Sequence, residues 1–414
     1  MTVSLATNFA GISSPNPFWL AAGPPTNTIG QVRRAFEAGW GGAVWKTVTR
    51  EEIVNVSSRY GAIQVGEQRV VGLNNIELIS DRPLEENLAE IQQVKHEFPD
   101  RAVVVSIMAR SERSAWQEMV KAAQDTGADA VELNFGCPHG LSERRMGSAV
   151  GQVPQYTEMI TGWCREAASV PVIVKLTPNV TDIRDIGRAA RRGGADALSL
   201  INTINSIVGV DLDTLLPRPH VAGLGTHGGY CGPAVKPIAL HLVSSVASDP
   251  EIGLPVSGIG GVDSWSAAAE FMLLGAGCVQ VCTAVMHHGF GIVRDLIAGL
   301  KGWMEAKGFA APSDFMGRTL PRIVPFSRLD PSYRVTARID QAACIRCGAC
   351  YTACEDGCYQ AIRRAAAVPQ AFSAAGTAAG GYAYQVDEQR CVGCNMCSLI
   401  CPVPGCITMR PLER

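Results

Sequence analysis

The segment DTGADAVELN (125–134) joins the end of a helix-like stretch to a buried strand, and this transition decides the fold. Its glycine suits the left-handed residue that ends many helices. The apolar run after it predicts a strand buried on both faces. The same transition recurs in the segments EAGWGGAVWK (37–46), RGGADALSL (192–200) and LGAGCVQVC (274–282). It therefore marks a repeated strand–helix unit.

Four further apolar runs predict strands, and helix-like stretches separate most of the eight. These runs are FWLAAG (18–23), AVVVSIM (102–108), PVIVKLT (171–177) and LPVSGIG (254–260), and the helix-like stretches include 84–98 and 266–275. Eight alternating units predict an α/β fold, a (β/α)8 TIM barrel over residues 1–305. A doubly wound open sheet is the alternative, because strand counts read from sequence vary by one or two.

Composition and charge exclude several classes of protein. Of the 414 residues, 47% are hydrophobic and 18% are charged, which predicts packed cores rather than disorder. A net charge of −2 gives no basis for a nucleic-acid partner. No apolar run reaches the roughly 18 residues of a membrane span, and the first residues show no secretory signal. We therefore expect a cytoplasmic protein with no nucleic-acid or membrane partner.

The cysteines predict metal binding, because ten of the fifteen lie between Cys344 and Cys406. Two runs share the spacing C-x2-C-x2-C-x3-C: Cys344, Cys347, Cys350 and Cys354, then Cys391, Cys394, Cys397 and Cys401. In two-cluster ferredoxins the fourth cysteine of each run binds the other cluster. We therefore predict two [4Fe–4S] clusters. One is held by Cys344, Cys347, Cys350 and Cys401, and the other by Cys391, Cys394, Cys397 and Cys354.

The cysteine-rich part resembles bacterial ferredoxins, which implies a two-cluster α+β domain over residues 336–414. A pair of zinc sites is the alternative, but zinc favours separate C-x2-C pairs, which overlapping runs of four fit less well. Cys358 and Cys406 lie outside the runs and are predicted to be unligated. The Pro-, Arg- and Ser-rich stretch 306–335 predicts a linker, and the Ala/Gly-rich stretch 362–382 predicts an insertion between the two halves.

Glycines and polar residues stand where the predicted barrel strands end, which is where TIM barrels carry their sites. The segments SGIGG (257–261) and VCTA (281–284) end the last two strands, where backbone N–H groups commonly hold a phosphate. Ordinary tight turns are the alternative. Lys175 at a strand end is costly to bury without an anionic partner, such as a reduced flavin ring. A flavin also suits the clusters, because it links one-electron transfer to hydride transfer.

The motif GLGTHG (223–228) is not predicted to bind a dinucleotide, because it follows no clear strand and opens no helix. We read it as a loop and expect nicotinamide to bind another chain. The segment 132–152 is predicted to carry the reaction. A cysteine thiol with an ordinary pKa of about 8.5 is mostly protonated at neutral pH, so Cys137 could donate a proton. Glycines around it would let this loop open and close. A packed, unreactive cysteine is the alternative.

Six segments together resemble the dihydropyrimidine dehydrogenase family. They are AVWKT (43–47), LNNIELIS (73–80), ELNFGCPHG (132–140), VKLTPNVTD (174–182), INTINS (201–206) and SGIGG (257–261). The resemblance covers nearly the whole chain. It is closest to the bacterial NAD-dependent form, in which a smaller subunit with this barrel and ferredoxin tail holds the pyrimidine site. The related dihydroorotate dehydrogenases share the barrel but not the tail.

The resemblance implies a role for each matching residue. Cys137 would be the general acid of reduction, and Glu77 would support the substrate residues. The pyrimidine would be bound by Asn75, Asn134, Gly136, Asn202 and Thr203, with neighbouring Asn74 leaving the register of Asn75 open by one. FMN would be bound by Ala22, Gly23, Lys46, Thr47, Lys175, Gly232, Ile259, Gly260, Gly261, Cys282 and Thr283. Gly136 departs from the animal enzyme, which has serine there, so only its backbone could contact the base.

The implied activity is reduction of uracil or thymine to the 5,6-dihydro form, with hydride arriving at C6 from FMN and a proton at C5 from Cys137. Electrons would come from a separate FAD- and NAD(P)H-binding iron–sulfur subunit and pass through the two clusters, so we expect a hetero-oligomer. Oxidation of dihydroorotate is a second possibility for the same barrel. A non-catalytic electron-transfer subunit is a third.

Overall fold

A computed structural model describes residues 3–66, 69–138, 145–366 and 382–412. It divides into two compact units, Met1–Ile323 and Val324–Arg414. The predicted linker over 306–335 is therefore shared between the units rather than standing apart. Phe315, in its first half, is fully buried in the core of the first unit. Val335, near its end, begins a strand of the second unit.

Eight parallel strands close into a barrel in the first unit, as the sequence predicts, and the open-sheet alternative is wrong. They are β1 (Phe18–Leu20), β2 (Gly42–Val48), β3 (Ala102–Ile107), β4 (Ala130–Asn134), β5 (Val172–Lys175), β6 (Ala197–Leu200), β7 (Val256–Ile259) and β8 (Ala276–Val281). Each strand pairs with the next one along the chain, and β8 pairs with β1. The ring is thereby closed.

A helix follows each strand and covers the outside of the barrel. The helices are α1 (Ile29–Ala38), α2 (Leu84–Glu97), α3 (Arg113–Gln124), α4 (Pro154–Ala167), α5 (Ile183–Arg192), α6 (Lys236–Ala247), α7 (Trp265–Leu273) and α8 (Ile292–Lys307). Side chains of Thr28, Asp182 and Ser264 accept backbone N–H groups at the starts of α1, α5 and α7. Such N-caps satisfy donors that a helix leaves free.

The barrel interior changes from apolar to polar along its axis. At the amino ends of the strands, Ala130 of β4 and Ile173 of β5 pack with Phe9 of an N-terminal hairpin (Thr7–Phe9 and Ile12–Ser14). Two residues further along the same strands stand Glu132 and Lys175. Because side chains two apart share one face of a strand, these polar groups enter the interior above the apolar layer.

A four-stranded antiparallel sheet, which sequence reasoning did not predict, stands at the carboxyl ends of the barrel strands. Its order is Ile204–Ser206, Gly228–Cys231, Arg69–Asn75 and Tyr60–Val65. The first pair is inserted after β6 and the second after β2. The motif GLGTHG leads into one of these strands, and a short 3-10 helix, Pro233–Val235, then joins α6. This arrangement is not that of a dinucleotide-binding fingerprint.

The second unit is the predicted two-cluster ferredoxin-like domain. Strand Val335–Ile339 pairs antiparallel with Ile407–Pro411, and helices Ala349–Gly357 and Met396–Leu399 each begin one residue before the third cysteine of a run. Strand Ile362–Ala366 pairs with Tyr382–Val386. Most of the predicted insertion, residues 367–381, lies outside the described residues. Within the described residues, no helix is long and apolar enough to cross a membrane.

Two glycines of α8 provide a matched test of the packing between α7 and α8. A Cβ at Gly299 would collide with the ring of Trp265, whereas a Cβ at Gly302 would meet nothing within 4 Å. We expect Gly299→Ala to lower the free energy of unfolding by about 1–3 kcal/mol through overpacking. Gly302→Ala should raise it by about 0.5–1 kcal/mol, because alanine is the better helix former.

Urea unfolding followed by tryptophan fluorescence measures both changes, because all seven tryptophans lie in the first unit. Equal effects of the two substitutions would contradict the close contact of Gly299 with Trp265.

Candidate active site

A cavity of about 790 Å³ opens at the carboxyl ends of the barrel strands. Its volume lies in the range of small-molecule sites. It is lined by all but one of the residues predicted to bind FMN or substrate: Ala22, Gly23, Lys46, Thr47, Asn75, Asn134, Cys137, Lys175, Asn202, Thr203, Gly232, Ile259, Gly260, Gly261, Cys282 and Thr283. The barrel strands and the four-stranded sheet thus bring these separate segments to one place.

Gly136 is the exception, because it lies behind the cavity wall. Its backbone N–H donates to Asn134 Oδ1 at 3.1 Å, and a side chain at this position would collide with Asn202. The glycine therefore allows Asn202 to pack against the backbone. The backbone N–H of Gly136 is already used in this bond, and a substrate contact by Gly136 stays a prediction.

A row of hydrogen bonds holds the amide groups at the cavity. Ser106 Oγ and Thr47 Oγ1 lie 2.9 Å apart, and Asn134 Nδ2 donates to Thr47 Oγ1 at 2.9 Å. Asn202 Nδ2 donates to Asn134 Oδ1 at 3.1 Å, and Asn202 Oδ1 accepts the backbone N–H of Thr203 at 2.8 Å. Because these groups fix one another, the amides are held in one orientation before any ligand binds.

The row also decides what the two amides can still offer. Asn134 Oδ1 already accepts two hydrogen bonds, and Asn202 Oδ1 accepts the Thr203 N–H. Each amide nitrogen carries two hydrogens and has used one of them. The groups left for a ligand are therefore chiefly N–H donors, which suit carbonyl oxygens.

Asn75, rather than Asn74, faces the cavity. Asn74 is 1% exposed and donates to Ser206 Oγ at 2.7 Å, on the other face of the strand. Asn75 lines the cavity and donates through Nδ2 to the carbonyl oxygen of Gly229 at 3.1 Å. Successive residues of a strand point to opposite faces. Of the two, Asn75 is therefore the one whose side chain lies at the cavity.

Two buried lysines at the cavity each have a carboxylate partner. Lys46 forms an ion pair with Glu77, which also accepts a hydrogen bond from Tyr60. Lys175 Nζ lies 3.6 Å from Glu132 Oε1. Both lysines are about 95% buried. A buried charge persists only where it is compensated, so these pairs are candidates for function.

Sequence reasoning missed Glu132 and Gln280. Glu132 is fully buried and its Oε2 accepts the Ser199 hydroxyl at 2.8 Å. Gln280 lines the cavity and donates to Ser257 Oγ at 3.0 Å, while its Oε1 has no hydrogen-bond partner among the described residues. A polar residue inside an otherwise apolar strand, as in AVELN and GCVQV, is the signal that could have found both.

The last two strand ends offer a backbone cradle of the kind that holds phosphate. Gly232, Gly260 and Gly261 have φ values of +96°, +124° and +72°, a region that glycine adopts without strain. A Cβ at Gly261 would lie 2.9 Å from the Gly232 carbonyl oxygen and 3.0 Å from the backbone nitrogen of Lys236. Such close approach of backbone segments suits phosphate binding through N–H groups. Together with the two buried lysines, the cradle fits FMN.

Cys137 lies at the cavity with its backbone fixed. Its carbonyl oxygen accepts the N–H of Ser148 at 3.0 Å, and its side chain packs with Ile79, Met108 and Met146. Residues 139–144, in the middle of the segment predicted to carry the reaction, lie outside the described residues. The predicted opening and closing of that loop stays a prediction.

The two cysteine runs of the second unit share one backbone conformation. Two residues after the first cysteine of each run, Arg346 and Gly393 have φ values of +60° and +73°. Four residues after it, Gly348 and Asn395 have φ values of +81° and +69°. A left-handed residue at matching positions of both runs is evidence for a structural repeat. The repeat suits two equivalent clusters.

The sulfur atoms of the second run gather with one cysteine of the first. A small cavity is lined by Cys354, Cys391, Cys394 and Cys397, joined by Cys358. Burial, followed by the neighbouring Cys391, Cys394 and Cys354, raises the pKa of the Cys397 thiol to about 11. Thiols packed this closely repel one another as thiolates, and bound iron relieves that repulsion because metal ions replace the protons. The residues fit a cluster.

The other predicted cluster site also brings together cysteines of both runs. Burial, followed by Cys344, raises the pKa of the Cys350 thiol to about 11. Cys406, predicted to be unligated, is 2% exposed and contacts the thiols of Cys401 and Cys344. Within the described residues, no three metal-binding side chains converge as a single ion requires. A cluster needs no such convergence, because each thiolate binds a different iron atom.

Comparison with known proteins identifies the family. A profile of the dihydroorotate dehydrogenase family matches residues 4–304, and a profile of the 4Fe-4S dicluster domain matches residues 337–409. The chain belongs to the dihydroorotate dehydrogenase family. Members of this family are oxidoreductases that bind FMN, so FMN is the cofactor of the barrel and the dicluster domain holds two [4Fe–4S] clusters.

Two relatives within the wider dihydroorotate dehydrogenase family confirm the resemblance to dihydropyrimidine dehydrogenases. Subunit PreA of the NAD-dependent dihydropyrimidine dehydrogenase of Escherichia coli is 39% identical over 363 residues, which are 87% of this chain and 88% of that protein. The chloroplastic dihydropyrimidine dehydrogenase (NADP(+)) of Arabidopsis thaliana is 43% identical over 327 residues, which are 76% of this chain and 77% of that protein.

A solved dihydroorotate dehydrogenase agrees with the fold. The crystal structure of the enzyme from Eimeria tenella in complex with ferulenol aligns with a TM-score of 0.62. The alignment covers 76% of this chain and 88% of the Eimeria tenella chain, with 18% sequence identity. At this identity the match supports the barrel and nothing finer.

Because Lys175 and Glu132 form a buried ion pair, we expect removal of either charge to lower the stability of the barrel strongly. Glu132→Gln keeps the shape and the bond to Ser199 but leaves Lys175 without its carboxylate. We expect the free energy of unfolding of the barrel to fall by about 3 kcal/mol, as for other broken buried pairs. Urea unfolding followed by tryptophan fluorescence measures it.

The surface pair Lys236–Glu270, whose side chains are 31% and 47% exposed, is the matched control. Glu270→Gln should change the free energy of unfolding by less than about 1 kcal/mol. A Glu132→Gln variant no less stable than the control would show that Lys175 does not depend on Glu132.

Proposed function

We propose that this chain reduces the 5,6 double bond of uracil or thymine in the barrel cavity. The observation that carries the proposal is the convergence of Cys137 with the amides of Asn75, Asn134 and Asn202 on one cavity that also holds two buried lysines. A proton donor, a set of carbonyl-binding donors and a flavin site are the parts that such a reduction requires. The relatives named dihydropyrimidine dehydrogenase support the same conclusion.

The amides orient the base. Asn134 and Asn202 present N–H donors, and both carbonyl oxygens of uracil are acceptors. The hydrogen-bond row fixes these donors beforehand, so little side-chain freedom is lost on binding. Cys137 donates its Sγ proton to C5 of the oriented base. FMN, when bound, supplies the hydride.

The lysines serve the flavin side of the cavity. Lys175 would neutralise negative charge that develops on the isoalloxazine ring, and Glu132 holds the lysine in place from below. Lys46 and Thr47 lie at the end of β2, where Thr47 also supports Asn134. The same strand ends thus hold both cofactor and substrate.

The clusters receive electrons from a partner. We propose a separate subunit that oxidises NADH or NADPH with FAD and passes electrons to the ferredoxin-like unit, so the working enzyme is a hetero-oligomer. The Escherichia coli relative is named as a subunit of an NAD-dependent enzyme, which supports a partner. The two [4Fe–4S] clusters accept single electrons, as a relay to a flavin requires.

Oxidation of dihydroorotate is the second candidate, favoured by the family profile over the barrel. That substrate carries a carboxylate, which calls for an unpaired cation in the cavity. The two buried lysines among the described lining residues are both paired with carboxylates. Neither lysine is then left for a substrate carboxylate, which favours the neutral pyrimidine.

Removing the thiol of Cys137 tests the proton donor. We expect Cys137→Ala to lower turnover of uracil by about 10²–10⁴-fold, the usual contribution of a general acid, with FMN still bound. Uracil-dependent oxidation of a reduced viologen dye and FMN extraction measure both quantities. Cys164→Ala is the control, because Cys164 is buried in the core away from the cavity. Undiminished turnover in Cys137→Ala would remove Cys137 from the reaction.

The donor character of the amides predicts which bases the enzyme accepts. Cytosine has an amino group where uracil has a carbonyl, so a donor on the protein would meet a donor on the base and remain unpaired. We expect kcat/KM for uracil to exceed that for cytosine by about 10⁴–10⁵-fold, the scale at which hydrogen-bonding sites reject an analogue that lacks the matching group. Competition assays with uracil, cytosine and dihydroorotate measure the preference. Faster turnover of dihydroorotate would favour the second candidate.

A further inference from the structure

A fifth cysteine lies at one of the two cluster sites. The cavity lined by Cys354, Cys391, Cys394 and Cys397 is also lined by Cys358. The Cys358 thiol is in hydrogen-bonding contact with that of Cys394. A four-iron cluster takes one thiolate on each iron, so four cysteines complete it. This site therefore has one thiol more than its cluster needs.

The extra thiol stands beside the most accessible ligand. Cys394 is exposed, whereas Cys391 and Cys397 are 9% and 8% exposed. An exposed thiolate ligand is the one that solvent protons reach most readily, and its bond to iron is broken when it is protonated. Cys358 follows the end of the helix Ala349–Gly357, four residues after Cys354, and is itself partly exposed. The fold thus places the Cys358 thiol beside Cys394, the most exposed of these cluster ligands.

We propose that Cys358 is a reserve ligand of this cluster and binds the iron of the Cys394 corner when that thiolate is lost. In the exchange the iron–sulfur bond to Cys394 breaks and its sulfur takes up a proton. The Cys358 thiol releases a proton and forms the new iron–sulfur bond. No electron is transferred, so the step needs neither oxidant nor reductant. The cluster is thereby retained on loss of its exposed ligand.

The other centre supplies an internal control. Cys347 holds the position in the first run that Cys394 holds in the second, and it is also exposed. The additional cysteine of that centre, Cys406, contacts Cys344 and Cys401 instead. It is also 2% exposed and packed in the core of the unit, so it is poorly placed to replace Cys347. Loss of Cys347 should therefore not be compensated.

Iron content and the electron paramagnetic resonance spectrum of the reduced full-length protein test the proposal without reference to its substrate. We expect wild type, Cys358→Ala and Cys394→Ala to hold about eight irons per chain, from two four-iron clusters. The double variant Cys358→Ala/Cys394→Ala should hold about four to seven, as should Cys347→Ala. The cluster spectrum of Cys394→Ala should shift, because the ligand and its surroundings have changed. Retained FMN shows in each case that the barrel is folded.

Cys394→Ala losing as much iron as the double variant would overturn the proposal, and so would a double variant that keeps all eight irons. Alkylation provides a second measurement if a variant is unstable. In the wild-type protein with its clusters, iodoacetamide should label Cys358, and in Cys394→Ala it should not. Labelling of Cys358 to the same extent in both proteins would equally rule out its role. Neither outcome depends on whether the barrel reduces pyrimidines.

Discussion

The alternation of side chains on eight closed, parallel strands is the constraint on which the active site depends. In the closed barrel, the backbone hydrogen bonds of each strand are made to its two neighbouring strands. Every second side chain of each strand then points into a crowded interior. The lower interior is filled by apolar residues such as Ala130 and Ile173. Glu132 and Lys175 enter above them on the same strands, and Gln280 enters above Cys278 on β8, so the polarity of the interior rises toward the cavity.

That arrangement places charges where burial is expensive. Glu132 is fully buried and Lys175 nearly so, and replacing such a pair by apolar residues often costs a protein nothing. Stability therefore does not account for the pair, whereas a cofactor that develops negative charge does. The amides of Asn134 and Asn202 follow the same logic, because they hold each other in place and keep donors free for a ligand. The cavity is thus organised before anything binds.

The barrel could be predicted from the sequence because its signals are local. A glycine that ends a helix and an apolar strand after it stand within ten residues, as in 125–134; this signal predicts four of the eight strands, and short apolar runs predict the other four. The four-stranded sheet could not be predicted, since Arg69–Asn75 pairs with Gly228–Cys231, more than 150 residues away, and neither segment is an apolar run. The placement of Gly136 behind Asn202 depends on the same long-range packing. The glycine count of a sequence does not reveal which glycine makes room for a side chain.

The ferredoxin-like unit contains two matching cysteine runs and two further cysteines, Cys358 and Cys406, that have no counterpart in the repeat. Its two halves share cysteine spacing and left-handed residues at matching positions, so the requirements of a cluster account for what the halves have in common. They do not account for Cys358 and Cys406, which stand at unequal distances from their runs. Cys406 is buried among core residues, where a small apolar side chain is useful in itself. Cys358 is partly exposed beside an exposed ligand, where packing gives little reason for a thiol. The difference between the two extra cysteines is therefore one of environment, and only the environment of Cys358 is that of a metal ligand.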